Sequence, residues 1–91
     1  MRLDLFLKQS RILKRRSLAK ELCDEGAVLL NGRPVRAGRD VSVGDEITLN
    51  LRNRRLSVQV LEVPERAPSA ARARELYLVS VDERIDEEER V

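Results

Sequence analysis

Histidine is absent from this chain, cysteine occurs once, at Cys23, and the aromatic residues are a single phenylalanine, Phe6, and a single tyrosine, Tyr77. Each scarcity removes a class of chemistry. Without histidine and with one thiol, a metal constellation of the usual kind cannot be assembled and no internal disulfide can close. Cys23 lies beside Leu22 and is followed by two acids, Asp24 and Glu25. Neighbouring acids raise a thiol's pKa, so an inert, partly packed side chain is expected there. No paired carboxylates stand in an apolar setting, which removes a common route to general acid–base work. A non-enzymatic protein is expected, with no catalytic residue, no metal and no cofactor.

The want of aromatics also bears on ligands. Modules that read splayed single-stranded bases stack them on aromatic platforms, at about 1–3 kcal/mol per base, and two aromatics cannot build such a surface. Phe6 falls on an apolar stripe and is expected in the core, and Tyr77 half-buried on the last strand. There is no apolar run near the roughly 18 residues of a membrane span and no charged-then-apolar leader. A cytoplasmic protein with no membrane partner is expected.

What the chain has in quantity is charge, 37% of its 91 residues, with a net value of only +2 that hides a gradient. Residues 1–39 carry +6, residues 40–60 balance, and residues 61–91 carry −4. In the first twenty positions seven bases (Arg2, Lys8, Arg11, Lys14, Arg15, Arg16 and Lys20) face one acid, Asp4. They are interleaved with Leu3, Phe6, Leu7, Ile12, Leu13, Leu18 and Leu22, whose spacing marks one side of a helix. Cations fixed on a folded element suit a polyanion whose phosphates are also fixed. Like charges four apart on a helix, such as Arg16 and Lys20, cost about 0.2–0.5 kcal/mol per pair, so local helix stability did not select them.

The pattern predicts a helix over 2–9, a connection over 10–14, and a second helix from about 15 to 25 that stops at Gly26. Asp4 near the first helix's positive end is expected to act as a cap or an internal salt bridge to a nearby arginine. A short strand, 27–30, leads into Asn31-Gly32, a type I′ hairpin signal, and returns through Arg33-Pro34-Val35 as an edge. A tight turn at Gly44-Asp45 precedes a strand over 47–51. Asn53-Arg54 is a second turn, and Leu56, Val58 and Val60 alternate on the next strand. One small α+β domain is expected, two short N-terminal helices packed on a small antiparallel sheet. Residues 64–74 read as a surface loop, 75–81 as a last strand on the same domain, and 82–91, with six acids, as a disordered acidic tail.

Arg2-Leu3-Asp4 with Phe6-Leu7, Arg15-Arg16-Ser17-Leu18-Ala19, Gly26, Val28, Asn31-Gly32 and Val43-Gly44-Asp45 together resemble the S-four-type RNA-binding domain, whose helix pair forms an alpha-L motif. The resemblance covers roughly residues 1–52, within a domain drawn over 1–63. It is nearest to the stand-alone members that act in ribosome quality control. It implies binding to ribosomal RNA and peptidyl-tRNA on obstructed large ribosomal subunits, stabilising the P-site tRNA during C-terminal alanine tailing. A tRNA-recruiting partner protein is implied as well, and a monomer is expected. A heat-shock-type factor for large-subunit recycling, or a general structured-RNA or DNA-binding module, are the alternatives. The RNA-binding residues expected are Arg2 and Arg16 as anchors, then Arg11, Arg15, Lys8, Lys20 and Lys14, with Arg33 and Arg36 at the rim. Asp4, Gly26, Asn31, Gly32, Gly44 and Asp45 are expected to be structural.

Overall fold

The computed structural model describes residues 1–84. Two helices, α1 (Leu3–Gln9) and α2 (Arg16–Asp24), lead into a five-stranded sheet. Its strands are β1 (Val28–Leu30), β2 (Arg33–Pro34), β3 (Glu46–Leu51), β4 (Arg54–Val60) and β5 (Tyr77–Arg84). The order across the sheet is β2-β1-β3-β4-β5, with every pairing antiparallel. The architecture is the expected α+β one.

Alternation decides which way the sheet faces. Val28 and Leu30, Ile47 and Leu49, and Leu56, Val58 and Val60 share one side by register, and all are buried. Leu3, Phe6 and Leu7 of α1 and Ala19 and Cys23 of α2 complete that core. The buried stripe of α2 differs from the one expected: Leu18 is 38% exposed, while Ala19 and Cys23 are enclosed. Small side chains suit these enclosed positions, where a leucine would overpack the core. Thr48 and Ser57, on the opposite side of the sheet, pair in register and share a hydroxyl hydrogen bond of 2.8 Å, so burial leaves neither unsatisfied.

Turn chemistry sets the path between elements. At the end of α2, Gly26 takes φ +75°, its N–H bonds the Cys23 carbonyl, and the Ala27 N–H bonds that of Leu22. This is a Schellman closure, which favours glycine because the left-handed conformation penalises a Cβ. Asn31 and Gly32 both have positive φ, +51° and +84°, the pair of values a type I′ turn demands. Asn31 does more than turn the chain. Its Nδ2 donates to Asp45 Oδ1 at 3.1 Å, and its Oδ1 accepts the Glu46 N–H at 2.9 Å. Asp45 Oδ2 in turn accepts the Ser42 N–H at 2.8 Å. The hairpin is thereby tied to the start of β3. Asn31→Ala should lower stability by about 1–3 kcal/mol, combining left-handed backbone strain with two lost hydrogen bonds. Urea unfolding with an unchanged m-value checks this.

Three local expectations differ from the structure. The β3–β4 turn is Arg52-Asn53, one residue earlier than Asn53-Arg54, because Leu51 and Arg54 pair across it. Residues 64–74 are not loop throughout. Ser69 caps a helical turn, α3 (Ala70–Ala73), by accepting the Arg72 N–H, and a 3-10 turn over Arg74–Leu76 follows. Ala73 and Leu76 from this segment are fully buried. Finally, β5 runs on through Asp82–Arg84, where a tail was expected. Its outer part is held by the ladder to β4 and by Arg54, whose Nε and Nη2 each donate to the Asp82 carboxylate at 2.9 Å. The rest of the expected tail, 85–91, lies outside the described residues.

Candidate nucleic-acid interface

Asp4 organises the basic end of the molecule. Its side chain is only 4% exposed, while those of Arg2 and Arg16, which flank it, are 52% and 45% exposed. Arg2 donates through Nε to Oδ1 and through Nη2 to Oδ2, both at 3.2 Å, a two-point fork. Arg16 approaches from the first turn of α2, with Nε 3.3 Å from Oδ2. The Leu5 N–H adds a 2.8 Å bond to Oδ1, as suits a carboxylate at a helix N-terminus. Burial alone would raise the Asp4 pKa, but the hydrogen bonds from Arg2, Arg16 and the Leu5 N–H, with the Arg16 charge, outweigh it and hold the carboxyl below its ordinary value. One buried acid thus holds two half-exposed guanidinium groups in place, and most of their five N–H donors each remain for another anion.

Arg2 is the N-cap residue of α1 and Arg16 the first residue of α2, and α1 is itself held by a distant loop. The Leu3 N–H bonds the Arg39 carbonyl at 2.8 Å, the Asp4 N–H bonds that of Ala37 at 3.1 Å, and the Val41 N–H bonds that of Met1 at 2.9 Å. Arg2 and Asp40 form a β-bridge there. The loop lies so close that a Cβ on Gly38 would meet the Arg2 guanidinium carbon at 3.4 Å. Arg36 and Arg39, both exposed, consequently flank the Arg2 end of the site. Arg39 is absent from the sequence-based set. Its only signal is the every-third spacing of Arg33, Arg36 and Arg39, which has no meaning until the loop is docked.

The other cations divide by position. Arg15 is the N-cap residue of α2 and Lys20 lies one turn beyond Arg16. Arg11 stands outside both helices, so only the Arg16–Lys20 pair repels on one helix. Lys8, Arg11 and Lys14 line a separate cleft whose far wall includes Ala67 and Pro68. Arg33 lies on the short edge strand β2. All these bases are exposed. Cys23 is buried, and burial, with the charges of Asp4 and Asp24, pushes its thiol pKa up. No helix among the described residues is long and apolar enough to cross a membrane.

A buried acid clamping two half-exposed arginines at the starts of a helix pair, on a small antiparallel sheet, defines an α+β module with a preset basic face. Residues 1–47 match the S4 domain family. The chain is 40% identical over 87 residues to the RQC P-site tRNA stabilizing factor of Bacillus subtilis, covering 96% of this chain and 100% of that one. It is also 40% identical to the factor of the same name from Halalkalibacterium halodurans, covering 98% of this chain and 100% of the relative. Among solved structures, trimeric Vibrio cholerae Heat Shock Protein 15 superposes with a TM-score of 0.79 at 28% identity, covering 88% of this chain and 81% of that one. The chain belongs to the S4 domain family and, within it, to the family of RQC P-site tRNA stabilizing factors.

Proposed function

We propose that this protein is a non-enzymatic RNA-binding factor of ribosome quality control. It binds obstructed large ribosomal subunits carrying peptidyl-tRNA and steadies the P-site tRNA while a partner protein directs C-terminal alanine tailing. The observation that carries the RNA-binding part is the Arg2–Asp4–Arg16 cluster, flanked by Arg36 and Arg39 and continued by Arg15 and Lys20. The ribosomal address rests on the relatives' shared name and near full-length match.

The physical mechanism is positional. Arginine's planar fork binds phosphate at two points, and Asp4 orders two such forks before the ligand arrives, which reduces the entropy lost on binding. With bases spread over α1, the α1–α2 turn, α2 and the docked loop, the surface suits a shaped RNA held through its backbone. About five phosphate contacts give an expected slope of log affinity against log salt of roughly −3.5 to −4.5. Filter binding to large subunits across a salt series measures it, and a slope near zero overturns the electrostatic mechanism. The address is tested by isolating tagged protein from cells and probing the bound large subunits for peptidyl-tRNA. A heat-shock-type recycling role, favoured by the structural likeness to Heat Shock Protein 15, predicts instead that deletion leaves alanine tails on stalled chains intact.

A further inference from the structure

A second basic site lies away from the Asp4 cluster. The end of α1, the turn after it and the connection after β4 border an open cleft of about 500 Å³, within the size range of small-ligand pockets. Its two sides differ chemically. Lys8, Arg11 and Lys14 supply three cations, while Leu13, Ala67 and Pro68 supply an apolar wall. Gln9 also lines the cleft, and its Oε1 is buried with no hydrogen-bond partner among the described residues. Such an orphaned polar atom is uncommon and calls for an explanation. Arg11 adds a third irregularity. It holds φ +62°, a left-handed conformation that costs an arginine free energy that glycine would not lose. The strain places a guanidinium at the cleft.

We propose that this cleft receives one unstacked nucleotide of the bound RNA. The proposal deepens the RNA-binding reading and rests on it. The phosphate would lie among Lys8, Arg11 and Lys14, and the base against Leu13 and Pro68. A bare anion would use the cations but not the apolar wall or the Gln9 acceptor. A nucleobase also uses the wall, through its flat apolar face, and its edge brings an N–H donor for Gln9 Oε1 once that side chain turns its buried oxygen toward the cleft. The scarcity of aromatics does not oppose this. A run of bases needs an aromatic platform, whereas a single turned-out base can rest on apolar side chains such as Leu13 and Pro68.

The test is titration of the full chain with AMP and, separately, with inorganic phosphate, followed by the amide NMR signals of Gln9, Arg11, Leu13 and Ala67. AMP should saturate these signals and bind roughly five-fold or more tighter than phosphate, as burial of about 40 Å² of the base against the apolar wall implies. Gln9→Leu should weaken AMP and leave phosphate unchanged. Arg11→Gly, which relieves backbone strain and therefore folds, should weaken both. Arg16→Ala should leave AMP binding unaltered. Equal affinity for AMP and phosphate, no saturable shift at these amides, or an equal loss in Arg16→Ala overturns the proposal. Co-sedimentation of the unaltered protein with large subunits separates the two readings. If it fails while AMP still binds the cleft, the ribosomal reading falls and the nucleotide site stands. If it succeeds without AMP binding, the reverse holds.

Discussion

Arg16→Ala should abolish co-sedimentation with large ribosomal subunits at physiological salt while leaving the protein folded. The side chain is half-exposed on the first turn of α2 and contributes nothing to the apolar core. Truncation leaves Asp4 its fork from Arg2 and the Leu5 N–H, so the buried carboxylate keeps partners. The stability loss should be no more than about 1 kcal/mol. Binding loses one arginine–phosphate contact, about 1.5–3 kcal/mol or roughly 10- to 150-fold. For a complex held by about five such contacts, that loss is large enough to empty the pelleted fraction. Arg16→Lys should recover only part of it, because an ammonium keeps the charge and loses the planar fork. Retained pelleting of Arg16→Ala with an unchanged melting curve overturns the placement of the site.

Asp4→Asn should weaken RNA binding even though it makes the protein more positive by one charge. Simple electrostatics predicts the opposite sign, so the direction of change separates positioning from attraction. The amide is uncharged and cannot accept both guanidinium groups as the carboxylate does. Arg2 and Arg16 then regain the side-chain freedom that Asp4 removes. Stability should fall by about 1–3 kcal/mol, the value of charged hydrogen bonds to a buried acceptor, which lowers Tm by roughly 5–15 °C in a domain of this size. Co-sedimentation at a temperature where the variant is folded, beside the melting curve, checks both halves. Tighter binding by the variant overturns the positioning role.

The same residue sets an acid limit. The Asp4 pKa is lower in the folded protein than the ordinary unfolded value of about 3.9. Below that value the unfolded chain binds more protons than the folded one, so stability rises with pH in that range. The contribution of Asp4 is complete above the unfolded pKa and is lost as pH falls through the depressed folded one. Asp4→Asn should therefore flatten the stability profile below about pH 5 and leave its shape unchanged near neutrality.

The helices, the Asn31-Gly32 turn, the Gly26 stop and the alternation of β3 and β4 were all legible in the sequence. Each is a local property, read from apolar spacing over a few residues or from a positive φ that few side chains accept. The concentration of base at one end of the chain was legible for the same reason, since seven of the first twenty residues are basic. Local reading failed where partners are distant. Apolar spacing marked Leu18 for the core, but the packing of α2 turned Ala19 and Cys23 inward instead. The 64–74 segment has no apolar period, so nothing local announced that Ala73 is buried or that Pro68 walls the cleft. Arg39 reaches the site only because the loop carbonyls of Ala37 and Arg39 take the first N–H groups of α1. By itself the sequence determined the two N-terminal helices, the central strands and the sign of the charge they carry. The tertiary structure decided that one buried acid joins the arginine that precedes α1 to the arginine that opens α2, because such a cluster forms only when the core and the docked loop bring the two helices together.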